Sequence, residues 1–160
     1  MAMNADAIAA LLQRSVAGDP WHGPSLAALL ADVTADEAAY RPIAGAHSIL
    51  EIVLHVAAWA DEVGTRLAGG SPGDPTAGDW PLPCPWDQAH ARLAAAHAGL
   101  LRRLAAFPEE RLGERFGGER VPALGTGVTY AEMAIGVAEH NAYHGGQIAL
   151  LKRALRGRAR

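Results

Sequence analysis

The stretch Thr129 to Leu155, TYAEMAIGVAEHNAYHGGQIALLKRAL, decides the fold. Thr129 followed three residues on by Glu132 marks a helix start. Met133, Val137, His140, His144, Ile148, Leu151 and Leu155 then follow at intervals of four, three, four, four, three and four. That spacing is one face of a helix, and the pattern predicts a helix to about Arg156. His140 and His144 occupy consecutive positions of this core-facing stripe. A bundle interior that accepts two imidazoles has to supply partners for them, because an unpaired buried polar group costs about 1–3 kcal/mol.

Three more long helices are expected upstream. One begins at the cap Ser48, with Glu51 three residues later, and stops near Leu67 before Gly69-Gly70. Between Ile49 and Ala60 its only polar residues are Glu51 and His55, the mark of a helix buried on nearly every side. Another runs from about Asn4 to Val16 with Ile8, Ala9, Leu11 and Leu12 on one side. The third runs from about Asp87 to Ala106, carries Ala89, Leu93, Leu100, Leu101 and Leu104, and ends before Pro108. Short turns are expected at Leu26–Leu30 and Asp36–Tyr40. The prolines and glycines of Gly69–Pro85, GGSPGDPTAGDWPLPCP, forbid a regular element there, and loops of that length are often functional. The turn-rich Gly113–Gly127 segment gives no basis for a sheet. The expected fold is an all-α four-helix bundle, one domain over residues 1–160.

Composition agrees. The 160 residues are half hydrophobic and 19% charged, with thirty-five alanines favouring helix. A single cysteine, Cys84, excludes an intrachain disulfide and a Cys-rich zinc site, and with no base beside it reads as an incidental loop residue. No apolar run approaches the ~18 residues of a membrane span. The N-terminal MAMNADAIAALLQR lacks the basic start and apolar stretch of a signal peptide, so a cytoplasmic protein is expected. The net charge is −3, yet Lys152 to Arg160 hold five bases and no acid, which leaves −8 on the rest. No basic face for nucleic acid results, and the terminal bases read as a helix C-terminus complementing its dipole, followed by a basic tail.

Seven histidines against two Phe and three Tyr direct attention to chemistry. His140 and His144 are one turn apart, which brings their Cβ atoms to roughly 5–6 Å, near enough for both rings to reach one metal ion. His55, in the most apolar helix, is the candidate third ligand, with Glu51 one turn before it as a carboxylate to orient the ring. His90 and His97 flank the stripe of the third long helix and are expected half exposed. His47 precedes the Ser48 cap, and His22 lies in a Trp-His-Gly-Pro turn. Asn141 stands where a zinc protease of the HExxH type needs Glu, and the paired Glu-x-x-His of di-iron bundles is absent. No phosphate-loop, dinucleotide or GxSxG motif occurs. Three imidazoles suit a divalent ion such as Zn, Ni or Fe.

The run His47-Ser-Ile-Leu-Glu-Ile-Val-Leu-His55-Val-Ala-Ala-Trp59 and the later His140-Asn-Ala-Tyr-His144-Gly-Gly-Gln147-Ile resemble the DinB-like (DinB/YfiT-like) superfamily of metal-dependent enzymes. Trp21-His-Gly-Pro-Ser25 and the Leu-Leu-Lys-Arg-Ala-Leu155 ending look like the same family, so the resemblance covers nearly the whole chain. It implies an up-down-down-up bundle with a long crossover, a divalent metal on His55, His140 and His144, and a homodimer. It also implies thiol-dependent chemistry, since characterised relatives include transferases and isomerases that use bacillithiol, mycothiol or glutathione. The expected function is therefore S-transfer from a small-molecule thiol to a small electrophile, with Arg41, Arg120 or the basic tail available for the thiol's carboxylates. Metal-activated hydrolysis, with Glu51 or Glu139 beside a bound water, is the alternative. A non-enzymatic, stress-related metal or small-molecule binding bundle is another, with His22 or His97 as a fourth ligand. Gly145 departs from the larger residue many relatives carry before Gly-Gln.

Overall fold

The computed structural model describes residues 4–157. Six α-helices follow in order: α1 (Ala5–Ala17), α2 (Leu26–Leu30), α3 (Ala35–Ala39), α4 (Ile49–Leu67), α5 (Trp86–Ala105) and α6 (Tyr130–Gly157). Each falls within one residue of its expected place. Among the described residues there is no strand, only an isolated bridge between Arg115 and Thr129 and two short 3-10 turns in the α5–α6 connection.

Local chemistry sets the ends. The side chains of Asn4, Ser25, Thr34 and Ser48 each accept from an N–H of the first turn of α1, α2, α3 and α4. Thr34/Glu37, Ser48/Glu51 and Thr129/Glu132 form reciprocal capping boxes at α3, α4 and α6. The four long helices form a ring in which α4 packs on α5 and α6, and α1 closes the other side against the same two helices. Ile8 and Leu12, Ile49 and Leu54, Leu100 and Leu104, and Ile148 meet in the core. α4 is buried along most of its length, as its composition requires.

Two connections are pinned by basic side chains. The α2–α3 link is held on α6 by bases: Lys152 Nζ donates to the Leu29 carbonyl and to Asp32, and Arg156 donates to Asp32 and Glu37. Those guanidinium and ammonium donors hold the Asp32 carboxyl far below its ordinary range. The terminal bases therefore do more than complement a dipole, while Arg158 and Arg160 of the tail lie outside the described residues. The α4–α5 loop is anchored by Arg66, almost wholly buried. Its Nε donates to Glu62 (2.8 Å) and its Nη2 to the Gly73 carbonyl (2.8 Å). Cys84 is a free, half-buried thiol in that loop. No described helix is long and apolar enough to cross a membrane.

Candidate metal centre

The bundle brings His55 of α4 together with His140 and His144 of α6. One nitrogen from each lies within 4.8 Å of the others. His140 Nε2 is 3.0 Å from His55 Nε2 and 3.0 Å from His144 Nε2. His55 and His144 are buried and His140 is half-buried.

The outer nitrogens decide what these contacts are. His55 Nδ1 is 2.6 Å from the Asp79 backbone oxygen, an acceptor only, so Nδ1 carries the proton and Nε2 presents a lone pair. His144 Nδ1 is 2.7 Å from Gln147 Oε1, which assigns it the same tautomer. His140 Nε2 thus faces two lone pairs at hydrogen-bond distance and holds at most one proton. At least one contact is lone pair against lone pair. Burial and then the neighbouring His144 and His55 push His140 down to about 3, so this ring is held neutral. Burial likewise lowers His144, against the opposing pull of Gln147. A cation between the nitrogens resolves the conflict, since two imidazoles bound at about 2.0–2.1 Å to one ion stand roughly 3.0–3.4 Å apart. The donor set fits a divalent metal.

Glu51 does not orient His55. Its carboxylate accepts from the Ser48 N–H and from Arg41, because the helix start claims it first. Asp79 takes that place from the α4–α5 loop, through its carbonyl at His55 and its carboxylate 3.3 Å from the same Nδ1. The Asp79 carboxylate also accepts from Trp59 Nε1 at 2.7 Å. Trp80 stacks on both His47 (ring centroids 3.5 Å apart) and His55 (4.1 Å), so the loop caps the cluster. Sequence reasoning missed Asp79 and Trp80. The one signal was an aromatic and an acid side by side in a Pro/Gly loop already suspected of function.

The remaining histidines stay apart. His97 is buried rather than half exposed. Its Nδ1 donates to the Leu93 carbonyl (3.0 Å), and its Nε2 accepts from Asn141 Nδ2 (3.2 Å). Asn141 also donates to Ser15 Oγ (2.9 Å), a buried chain that joins α5, α6 and α1 and fixes how α6 is turned. His90 packs edge-on against Trp86, and His22 is exposed in its turn. Neither His22 nor His97 joins the convergent set. Gly145 is explained by α2: a Cβ there would lie 3.2 Å from a Leu29 methyl.

Two clefts flank the cluster. One, about 470 Å³, is reached by His144 and walled by Ile43, Ile52, Trp80, Tyr143 and Leu150. The other, about 400 Å³, is reached by His140 and holds Arg66, Arg120, Glu132 and Glu139. Of the arginines considered for a carboxylate, Arg120 alone lines a cleft at the cluster; Arg41 pairs with Glu51.

The fold is an all-helical bundle whose interior gathers three imidazoles close enough to hold one metal ion between them. A family model described as the DinB superfamily matches residues 21–148, a span that contains all three histidines. The chain belongs to the DinB superfamily. No curated protein and no solved structure matches it.

Proposed function

We propose that this protein is a divalent-metal-dependent thiol S-transferase, with His55, His140 and His144 as the metal ligands. The carrying observation is the 3.0 Å convergence of imidazole nitrogens whose outer protons are already assigned to Asp79 and Gln147. When bound, a divalent ion supplies Lewis acidity that makes a thiol acidic near neutral pH. In the overall reaction the thiol loses its proton, its sulfur bonds to the electrophilic carbon, and the leaving group departs with the electron pair of the broken bond. The chain's own part is positioning. The Asp79 carbonyl and Gln147 hold two rings in register, and Trp80 covers them. The apolar cleft beside His144 seats the electrophile and excludes water from it.

Hydrolysis is the second reading. Glu51 is committed to the α4 start and to Arg41, so Glu139, which lines the cleft of His140, is the one acid left for it. Metal analysis of the purified protein by mass spectrometry, beside His140→Ala, is the first test. Near-stoichiometric Zn, Ni or Fe that is lost in the variant supports the site. Protein that stays metal-free after incubation with those ions overturns it. Consumption of monobromobimane that needs both metal and thiol supports transfer, whereas ester or amide turnover without thiol replaces it with hydrolysis.

A further inference from the structure

The two clefts differ in chemistry, and the difference bears on which thiol is used. The cleft at His144 holds no carboxylate, lysine or arginine. The cleft at His140 holds four charged residues, two of them already committed. Arg66 is consumed by Glu62, the Gly73 carbonyl and Met133 Sδ. Glu132 accepts from the Thr129 N–H as the α6 cap. Two charges remain. Arg120 lies close enough to Glu132 to help lower its pKa, but makes only one hydrogen bond, from Nη1 to the Thr126 carbonyl (3.2 Å), which leaves the other N–H groups of its fork for a ligand. Glu139, exposed at the rim and next in sequence to His140, makes no hydrogen bond or ion pair among the described residues.

A guanidinium with unused N–H groups and a carboxylate without a hydrogen-bond partner in one cleft match a ligand that carries both an anion and a cation. We infer that this cleft seats the amino-acid head of the thiol, with its α-carboxylate on Arg120, its α-ammonium on Glu139 and its sulfur directed to the histidine cluster. This rests on the thiol reading above and narrows it to thiols with a free cysteine-like head. Charge-assisted bonds on both ends separate such a head from one lacking either group.

The test follows Arg120, Gly125, Gly136 and His140 by nitrogen-15 NMR in the full chain, metal-free and reduced. L-cysteine, 3-mercaptopropionate (no ammonium), cysteamine (no carboxylate) and L-serine (no thiol) are titrated in turn. L-cysteine is expected to bind about tenfold more tightly than either truncated thiol. Arg120→Gln should erase its advantage over cysteamine alone, and Glu139→Gln its advantage over 3-mercaptopropionate alone. Equal binding of the three thiols, or shifts confined to Ile43 and Leu150 in the other cleft, overturns the inference. L-serine separates the two levels. If it perturbs the Arg120 cleft while no thiol is ever turned over, the head subsite stands and the transferase reading falls. Thiol turnover with an unchanged KM for L-cysteine in both variants leaves the reading and removes the subsite.

Discussion

Gln147 and Asn141 show how much one side chain on α6 can decide. Gln147 accepts from His144 Nδ1 and so turns the lone pair of Nε2 toward the cluster. Gln147→Leu removes that acceptor without touching any of the three histidines. Groups that orient a ligand ring typically contribute roughly 10- to 100-fold in metal affinity, so a loss of that size is expected in competition with a chelator. A retained affinity would show that helix packing alone holds the ring. Asn141, 1% exposed, works away from the three-histidine cluster. Asn141→Ala leaves the buried His97 Nε2 without its donor, while Ser15 keeps its bond to the Leu12 carbonyl, and should lower stability by about 1–3 kcal/mol, read as a drop in the urea midpoint. Neither residue breaks the apolar stripe through Met133 and Ile148, so periodicity exposed the two histidines but was silent on Asn141. Its burial depends on α5 and α1 arriving on the same side of α6.

At the scale of elements, α4 carries the most constraint. Its start is a capping box, and Ser48→Ala should cost ~1 kcal/mol in denaturant unfolding. That same box explains why Glu51 is unavailable to His55: a carboxylate at the third helical position is claimed by the N–H of the cap. The far end of α4 holds the buried Arg66–Glu62 pair. Arg66→Leu leaves Glu62 buried without its partner and frees Gly73 of the loop. A loss of about 3–5 kcal/mol is expected by chemical denaturation, and an unchanged midpoint would mean that the loop relaxes to hydrate Glu62. Helix spans were legible because caps and periodicity are local. The α4–α5 loop was legible only as irregular, since nothing in GDWP shows that Asp79 and Trp80 fold back over a helix some twenty residues upstream.

For the whole molecule, buried imidazoles couple folding to pH. Burial is the leading cause of the low pKa of His97, His140 and His144, so each is held neutral in the fold and takes up its proton near pH 6.5 when unfolded. The unfolded chain then binds more protons than the folded one, and stability must fall as pH drops below about 6.5. The slope is at most ~1.4 kcal/mol per pH unit for each group. Between pH 6.5 and 5 the capping carboxylates Glu37, Glu51 and Glu132, whose pKa values are lowered, stay ionised and contribute no such loss. Urea midpoints of the metal-free chain should therefore decline over that window, and a flat profile would mean that these rings are hydrated in solution. Added zinc should raise the melting temperature of the wild-type chain but not of His140→Ala. The sequence by itself determined the helices, the bundle class and the identity of the three converging histidines, because periodicity, caps and turn residues act over a few positions. Only the tertiary structure decided that Asp79 rather than Glu51 orients His55, that His97 is buried in a chain with Asn141 and Ser15, and that Arg120 and Glu139 share one cleft. Those contacts join residues from separate elements, and their partners are set by how the helices pack and how the loops return across them.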